Sequence, residues 1–428
     1  MISLSLHPLR TELNDEAHAR PSLPVAAPAR LTSLTFFFER DSGEQLAAVS
    51  ALAARLGMDA PPAGATHYVG RAGELTVSWS RHTEFVNYIF GLDGTGGDPF
   101  VQNALTHIPD DWLETVPGQM LAGVHALIID AGAAGQLDQM AARWFSAHDL
   151  IGADLADGNA MALTDLRLHD DAYAGVGFVR YVMLNRDMSA RQAGRMLGRL
   201  FEIETYRMLA LLALPLAKQQ IRELDLLGVA LRDATRRLRA TDEEPALLAD
   251  LAGLSAQLED AVSASQYRFS AASAYYELVG RRIGELRESR IAGLQPFREF
   301  MERRLAPAMA TCETATRRQE RLSTRLQRAT ALMRTRIEVG LQQQNQQLLQ
   351  SMDRRAELQL RLQETVEGLS VGVLTYYAVG LFAYAAKAVK AAGWHVNPEL
   401  ATGLAIVPIA ACVWFGVQFA KRRLLHDD

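Results

Sequence analysis

The sequence predicts an α/β head at the N-terminus, a long α-helical stalk after it and a C-terminal two-helix transmembrane hairpin. Three observations carry that fold class. Short β-rich runs alternate with helical stretches up to about residue 185, strand signals stop from Ser189 onward, and two uncharged apolar segments lie near the C-terminus.

In the head, Leu31 to Phe38 reads as a strand, and Ser42 to Leu56 has helical spacing with Ser42 as its N-cap. Glu74 to Ser80 and Glu84 to Phe90 pair as a hairpin, followed by a Gly-rich turn at Gly91 to Gly97. Val124 to Asp130, Asp149 to Leu155, Met161 to His169 and Val176 to Leu184 are further strands, with a helix at Leu137 to Ala147. The partial alternation implies a central sheet covered by helices.

Three long helices follow. The first runs from Ser189 to about Arg239, with a kink expected at Pro215. The second starts at Thr241-Asp242-Glu243-Glu244-Pro245, where a cap Thr and a Glu three residues on satisfy each other's free N–H groups, and runs to about Arg290. A break at Gly293-Leu294-Gln295-Pro296 leads into the third, which meets no proline between Pro307 and Pro398. Its apolar stripe runs from Leu322 through Leu326, Ala329, Met333, Ile337, Leu341, Asn345, Leu348, Met352, Ala356, Gln359, Leu362, Val366 and Leu369 to Val373, at about 3.6 residues per step, the repeat of a straight helix. Leu349, Leu358 and Leu360 form a second apolar face, so this helix is expected to pack on two sides, as in a ring of subunits.

Leu369 to Ala386 and Leu400 to Ala420 carry no formal charge, and each is close to the roughly 20 residues that cross a bilayer. The short loop between them, with Asn397-Pro398, makes them a hairpin. Arg354, Arg355 and Arg361 precede the first span and Lys421 to Arg423 follow the second, against Lys387 and Lys390 in the loop. The positive-inside rule then puts both termini in the cytoplasm. The N-terminal MISLSLHPLR has neither a basic start nor a continuous apolar run, and does not read as a signal peptide.

The expected organisation is therefore a cytoplasmic α/β domain at 1–185, a helical hairpin region at 186–310, a stalk helix at 311–368, spans at 369–386 and 400–420, a periplasmic loop at 387–399 and a basic tail at 421–428. A chain of 428 residues with 49% apolar and 22% charged residues is long enough for more than one domain. Its net charge of -5 gives no electrostatic case for nucleic acid. Two cysteines far apart, Cys312 and Cys412, form neither a disulfide framework nor a zinc-thiolate site.

Residue patterns offer few chemical sites. His7, Arg10, His18 and Arg20 place two imidazoles and two guanidiniums in one arm, which suits a phosphate or metal as well as a structural tether. Arg81, His82 and Glu84 sit at the hairpin turn, where cross-strand ion pairing accounts for them equally. Gly94-Thr95-Gly96-Gly97 lacks the Lys-Ser/Thr of a phosphate loop. No nucleophile context and no strong zinc spacing is present in the sequence, so the chain is not expected to be an enzyme, and its cofactors are unknown from the sequence.

The stretches HPLRTELNDEAHARP (His7 to Pro21), SRHTEFVNYIF (Ser80 to Phe90), FEIETYRMLALLALP (Phe201 to Pro215) and LQLRLQETVEGLSVGVLTYY (Leu358 to Tyr377) together resemble a proteobacterial domain-of-unknown-function family of membrane-anchored proteins over nearly the whole chain. More distantly, the order of parts is similar to the CorA magnesium channels, which join a cytoplasmic α/β domain, a helical hairpin and a long stalk helix that becomes the first span. The loop keeps Gly393, Asn397 and Pro398-Glu399-Leu400 but lacks the Gly-Met-Asn triplet of those channels. The resemblance implies a CorA-like homo-oligomer, a pentamer, in the bacterial inner membrane, conducting a cation past Gly393, Asn397 and Glu399. The amides of Gln342 to Gln347 place Asn345 either in a solvated helix segment or in a polar layer lining a shared axial cavity. The alternative is a non-conducting, membrane-anchored scaffold or sensor whose head binds a ligand or protein.

Overall fold

The computed structural model describes residues 4–11, 13–14, 22–39, 43–133, 137–146, 149–240, 244–393, 395 and 397–424. The expected caps Ser42 and Thr241, and the arm residues His18 and Arg20, lie outside them. The chain divides into two compact units, Met1–Thr330 and Ala331–Asp428.

In chain order the elements of the first unit are β1 (Ala29–Phe37), α1 (Glu44–Arg55), β2 (His67–Ala72), β3 (Leu75–Arg81), β4 (Phe85–Asp93), α2 (Asp110–Leu113), β5 (Gln119–Asp130), α3 (Leu137–Trp144), β6 (Ile151–Leu155), β7 (Ala160–Thr164), β8 (His169–Asp170) and β9 (Gly177–Asn185). Then come α4 (Ala190–Leu211), α5 (Ala213–Ala240), α6 (Glu244–Leu286), β10 (Ser289–Arg290), α7 (Phe297–Arg304) and the start of α8 (Ala306–Ala391). The strands form one sheet in the order β10-β6-β7-β9-β5-β1-β4-β3-β2, with β8 pairing on β9. Every pairing is antiparallel except β5 with β9.

Side chains alternate across the sheet, and both faces are apolar because both are covered. On one face Leu31, Val124, Ala126 and Val179 join Leu197, Leu200 and Phe201 of α4 in a single core. On the other, Trp79, Tyr88 and Phe90 pack with Val49 and Leu52 of α1 and with Trp112 of α2, whose indole N–H donates to the Ala48 carbonyl at 2.9 Å. A third cluster places Leu127 and Val182 against Trp144 of α3.

Two boundaries differ from the sequence expectation for a physical reason. Pro215 lacks an N–H and its ring crowds the carbonyl four residues back, so the helix ends at Leu211 and α5 restarts at Ala213, with proline in its first turn. The strand β2 has the half-polar sequence HYVGRA and lies at the sheet edge, which gave no strand signal. The start of α4 is firmly set: Ser189 and Gln192 form a capping box. Just inside, a Cβ on Gly194 would stand 1.7 Å from the Leu23 carbonyl oxygen, so only glycine lets the segment before β1 lie against α4.

The second unit holds the rest of α8 and α9 (Pro398–Leu424). Both contain a stretch long and apolar enough to cross a membrane. On each, the half-covered or covered positions recur at helical spacing, at Val371, Thr375, Ala378, Ala383 and Ala386 on α8 and at Ala401, Ala405, Ile409 and Val413 on α9. These sheltered positions are Ala, Thr, Val and Ile, while Leu374, Tyr376, Leu381, Leu404, Val407 and Phe415 are exposed.

Candidate functional site

The turn joining α8 to α9 brings three of the sequence-selected residues together. Gly393 has φ +98°, and its N–H donates to the Lys390 carbonyl at 3.1 Å, so a left-handed glycine ends α8. Asn397 caps α9: its side-chain oxygen accepts from the Glu399 N–H at 3.2 Å, and its carbonyl accepts from the Ala401 N–H at 3.1 Å. Pro398 then occupies a position where a missing N–H is harmless. Glu399 is exposed in the first helical turn, where its charge complements the positive end of the helix. Asn345 lies on α8, about 70 Å from its C-terminal end along the helical rise. Its side chain, like those of Gln342 to Gln347 around it, is exposed.

In the head, His7 accepts at Nδ1 from the Leu9 N–H, and Arg10 donates its N–H to the His7 carbonyl, so the described part of the arm is a local turn. Arg81 ends β3 and His82 stacks on Phe85 at 4.1 Å between ring centroids. Glu84 corrects the cross-strand reading. Its carboxylate accepts two bonds from Arg268 of α6, at 3.0 and 2.8 Å, and a third from the Tyr267 hydroxyl at 3.1 Å. With Glu84 buried and the Arg268 guanidinium 5.1 Å from the Phe37 ring, the group clamps the β3–β4 turn to α6. Burial, and then the Glu84 charge, push the Tyr267 hydroxyl's pKa up.

A polar row that the sequence reading missed crosses the face of the sheet that carries α1. Phe90, Thr32, His125 and Arg180 stand in register on β4, β1, β5 and β9. His125 is buried, meets Thr32 through Nδ1 at 2.8 Å, and stacks on Phe178 at 4.1 Å. Its Nε2 lies 3.2 Å from Asp171 Oδ2, off the line that a hydrogen bond needs. Asn103 donates to the same carboxylate at 2.6 Å, and the Tyr173 and Ala174 N–H groups donate to its other oxygen. Burial holds the imidazole's pKa below its usual value. Burial works the other way on Asp171, but the adjacent His125 and the backbone donors outweigh it and lower its pKa. The row lies between two apolar clusters, and its polar contacts tie β1 and β5 to the loop that carries Asp171. A single imidazole inside the apolar run Leu121 to Ile129 was the signal available in the sequence. Among the described residues no group of His, Cys, Asp and Glu is arranged to hold a metal ion.

A family model described as "Protein of unknown function (DUF3422)" matches residues 5–424. No curated protein and no solved structure matches the chain.

Proposed function

Because the chain belongs to the DUF3422 family, we propose from its own geometry that it is a homo-oligomeric protein of the bacterial inner membrane whose first spans line a cation path. The observation that carries this reading is α8, which runs unbroken from Ala306 to Ala391 through an exposed apolar stripe into an apolar span. A row of uncovered leucines of that length asks for partners in assembly, and two spans per chain enclose water only when several chains combine. The CorA-like order of parts supports a ring of five. The basic residues outside the hairpin support cytoplasmic termini, with the Gly393 to Glu399 turn in the periplasm.

In this reading Glu399, repeated around the ring, offsets Lys387 and Lys390 near the outer mouth, and Asn345 supplies a polar layer in the stalk. Flux of monovalent and divalent cations into proteoliposomes tests it: Glu399→Gln keeps the shape and removes the charge, so flux should change while assembly does not. Unaltered flux, or no flux of any cation in the parent protein, refutes conduction. In a version without native thiols, a cysteine at His395 should react from the periplasmic side and one at Leu6 should not. A second reading, the non-conducting anchored scaffold or sensor, draws support from Asn397, whose side-chain oxygen is already used in capping α9.

A further inference from the structure

A groove of about 860 Å³ in the first unit runs between α6 and α8. Phe269, Ala272 and Met309, all buried, form its apolar floor. Glu259, Glu313 and Glu320 are exposed along it, and neither Lys nor Arg lines it. The exposed pair that Glu313 makes with Arg317 on its own helix is too weak to cancel this charge.

On these two helices packs α5. Gln319 of α8 donates to Ser265 of α6 at 2.9 Å and to Gln220 of α5, which in turn donates to the Ala261 carbonyl at 2.5 Å. No α5 residue lines the groove, so it opens away from α5.

The outward face of α5 is its complement. Lys218, Arg222, Leu226, Val229, Asp233 and Arg236 follow one another at three- and four-residue spacing and are exposed, with Leu226 at 72%. Their apolar centre is flanked by three cations against one anion. From Lys218 to Arg236 this stripe measures about 27 Å, and the groove wall from Glu259 to Tyr276 about 26 Å.

We propose that α5 of one copy lies in the α6–α8 groove of the next, with Leu226 and Val229 on the apolar floor and the cations of α5 against Glu259, Glu313 and Glu320. Donor and acceptor are different surfaces on opposite sides of one three-helix layer, so the contact is head-to-tail, the kind that closes a ring when the rotation from copy to copy completes a circle and extends as a filament when it does not. The inference rests on the oligomeric reading above and gives it an interface.

Full-length protein in mild detergent provides the test. In a version carrying Cys312→Ala and Cys412→Ser, Val229→Cys with Ser270→Cys should give a ladder of linked subunits under a short bis-maleimide, and either cysteine alone should give none. In the natural background, Lys218→Glu with Arg222→Glu should weaken association roughly tenfold, and adding Glu313→Lys with Glu320→Lys should restore it. A ring of correct mass with no ladder, or one indifferent to both charge sets, overturns this interface and leaves the oligomeric reading standing. A monomer in every detergent overturns both.

Discussion

Two stretches of α8 share one apolar periodicity and differ in cover. Before Thr330 the stripe is closed over, with Leu322 at 8%, Leu326 at 5% and Ala329 at 6% exposure. Past Met333, still covered at 1%, the same stripe opens, with Leu348 at 62%, Met352 at 57% and Leu362 at 67%. Helical spacing alone therefore says only that a face is apolar; whether that face meets its own chain, another copy or lipid depends on what the rest of the sequence brings to it. At about 25 cal/mol per Å² of apolar surface, the open half carries a large unmet drive for association.

The largest test of the contrast is made in the covered region. Trp112→Ala empties a buried site and removes the bond to Ala48, so chemical denaturation should show a loss of about 4 kcal/mol in the stability of the first unit. Glu84→Gln leaves the charge of Arg268 on α6 without its carboxylate at the β3–β4 turn and should cost about 3 kcal/mol by the same measurement. A surface change at Leu348→Gln should move protomer stability by no more than about 0.5 kcal/mol, yet lower the mass seen by light scattering as subunits separate. A loss of several kcal/mol there would mean the open stripe is part of the protomer's own core.

The finest distinction is in pH. Unfolded histidine takes a proton near about 6.5. Burial keeps folded His125 from doing so, and the unfolded state then binds more protons as the solution is acidified. Stability of the first unit should fall from pH 7 to pH 5, and the His125→Gln variant should show a flatter slope over that range. Asp171, with its folded pKa held down, adds a further loss as the pH drops below the unfolded carboxylate value and through the folded one.

Much of this architecture was legible because strands and helices leave different periodicities. The runs at β1, β3, β4, β5 and β9, and the long helices, were placed within a few residues. What escaped depends on distant partners. Nothing near Ser289–Arg290 marks a strand, because two residues pair only when β6 is already there to receive them. Glu84 showed a turn but not its partner Arg268, which lies 184 positions along the chain. At the hairpin, the Gly393 and Asn397-Pro398 signals were local and gave the turn directly, since helix ends are decided by neighbours within four residues.

The strand β10 has a consequence for the order in which the molecule is made. Ser289 and Arg290 pair with Asp154 and Ala153, and the Gly152 N–H donates to the Gln295 carbonyl at 3.0 Å, so the sheet's last edge is supplied by residues translated long after the rest. As the chain leaves the ribosome, β6 presents unpaired N–H and C=O groups until α4, α5 and α6 have emerged and folded back. Closing so long a loop raises the contact order, and with it the time during which that edge can pair wrongly with another nascent chain. A fragment ending near residue 185 should then be captured by chaperones or aggregate, whereas one extending to residue 330 carries its own edge strand.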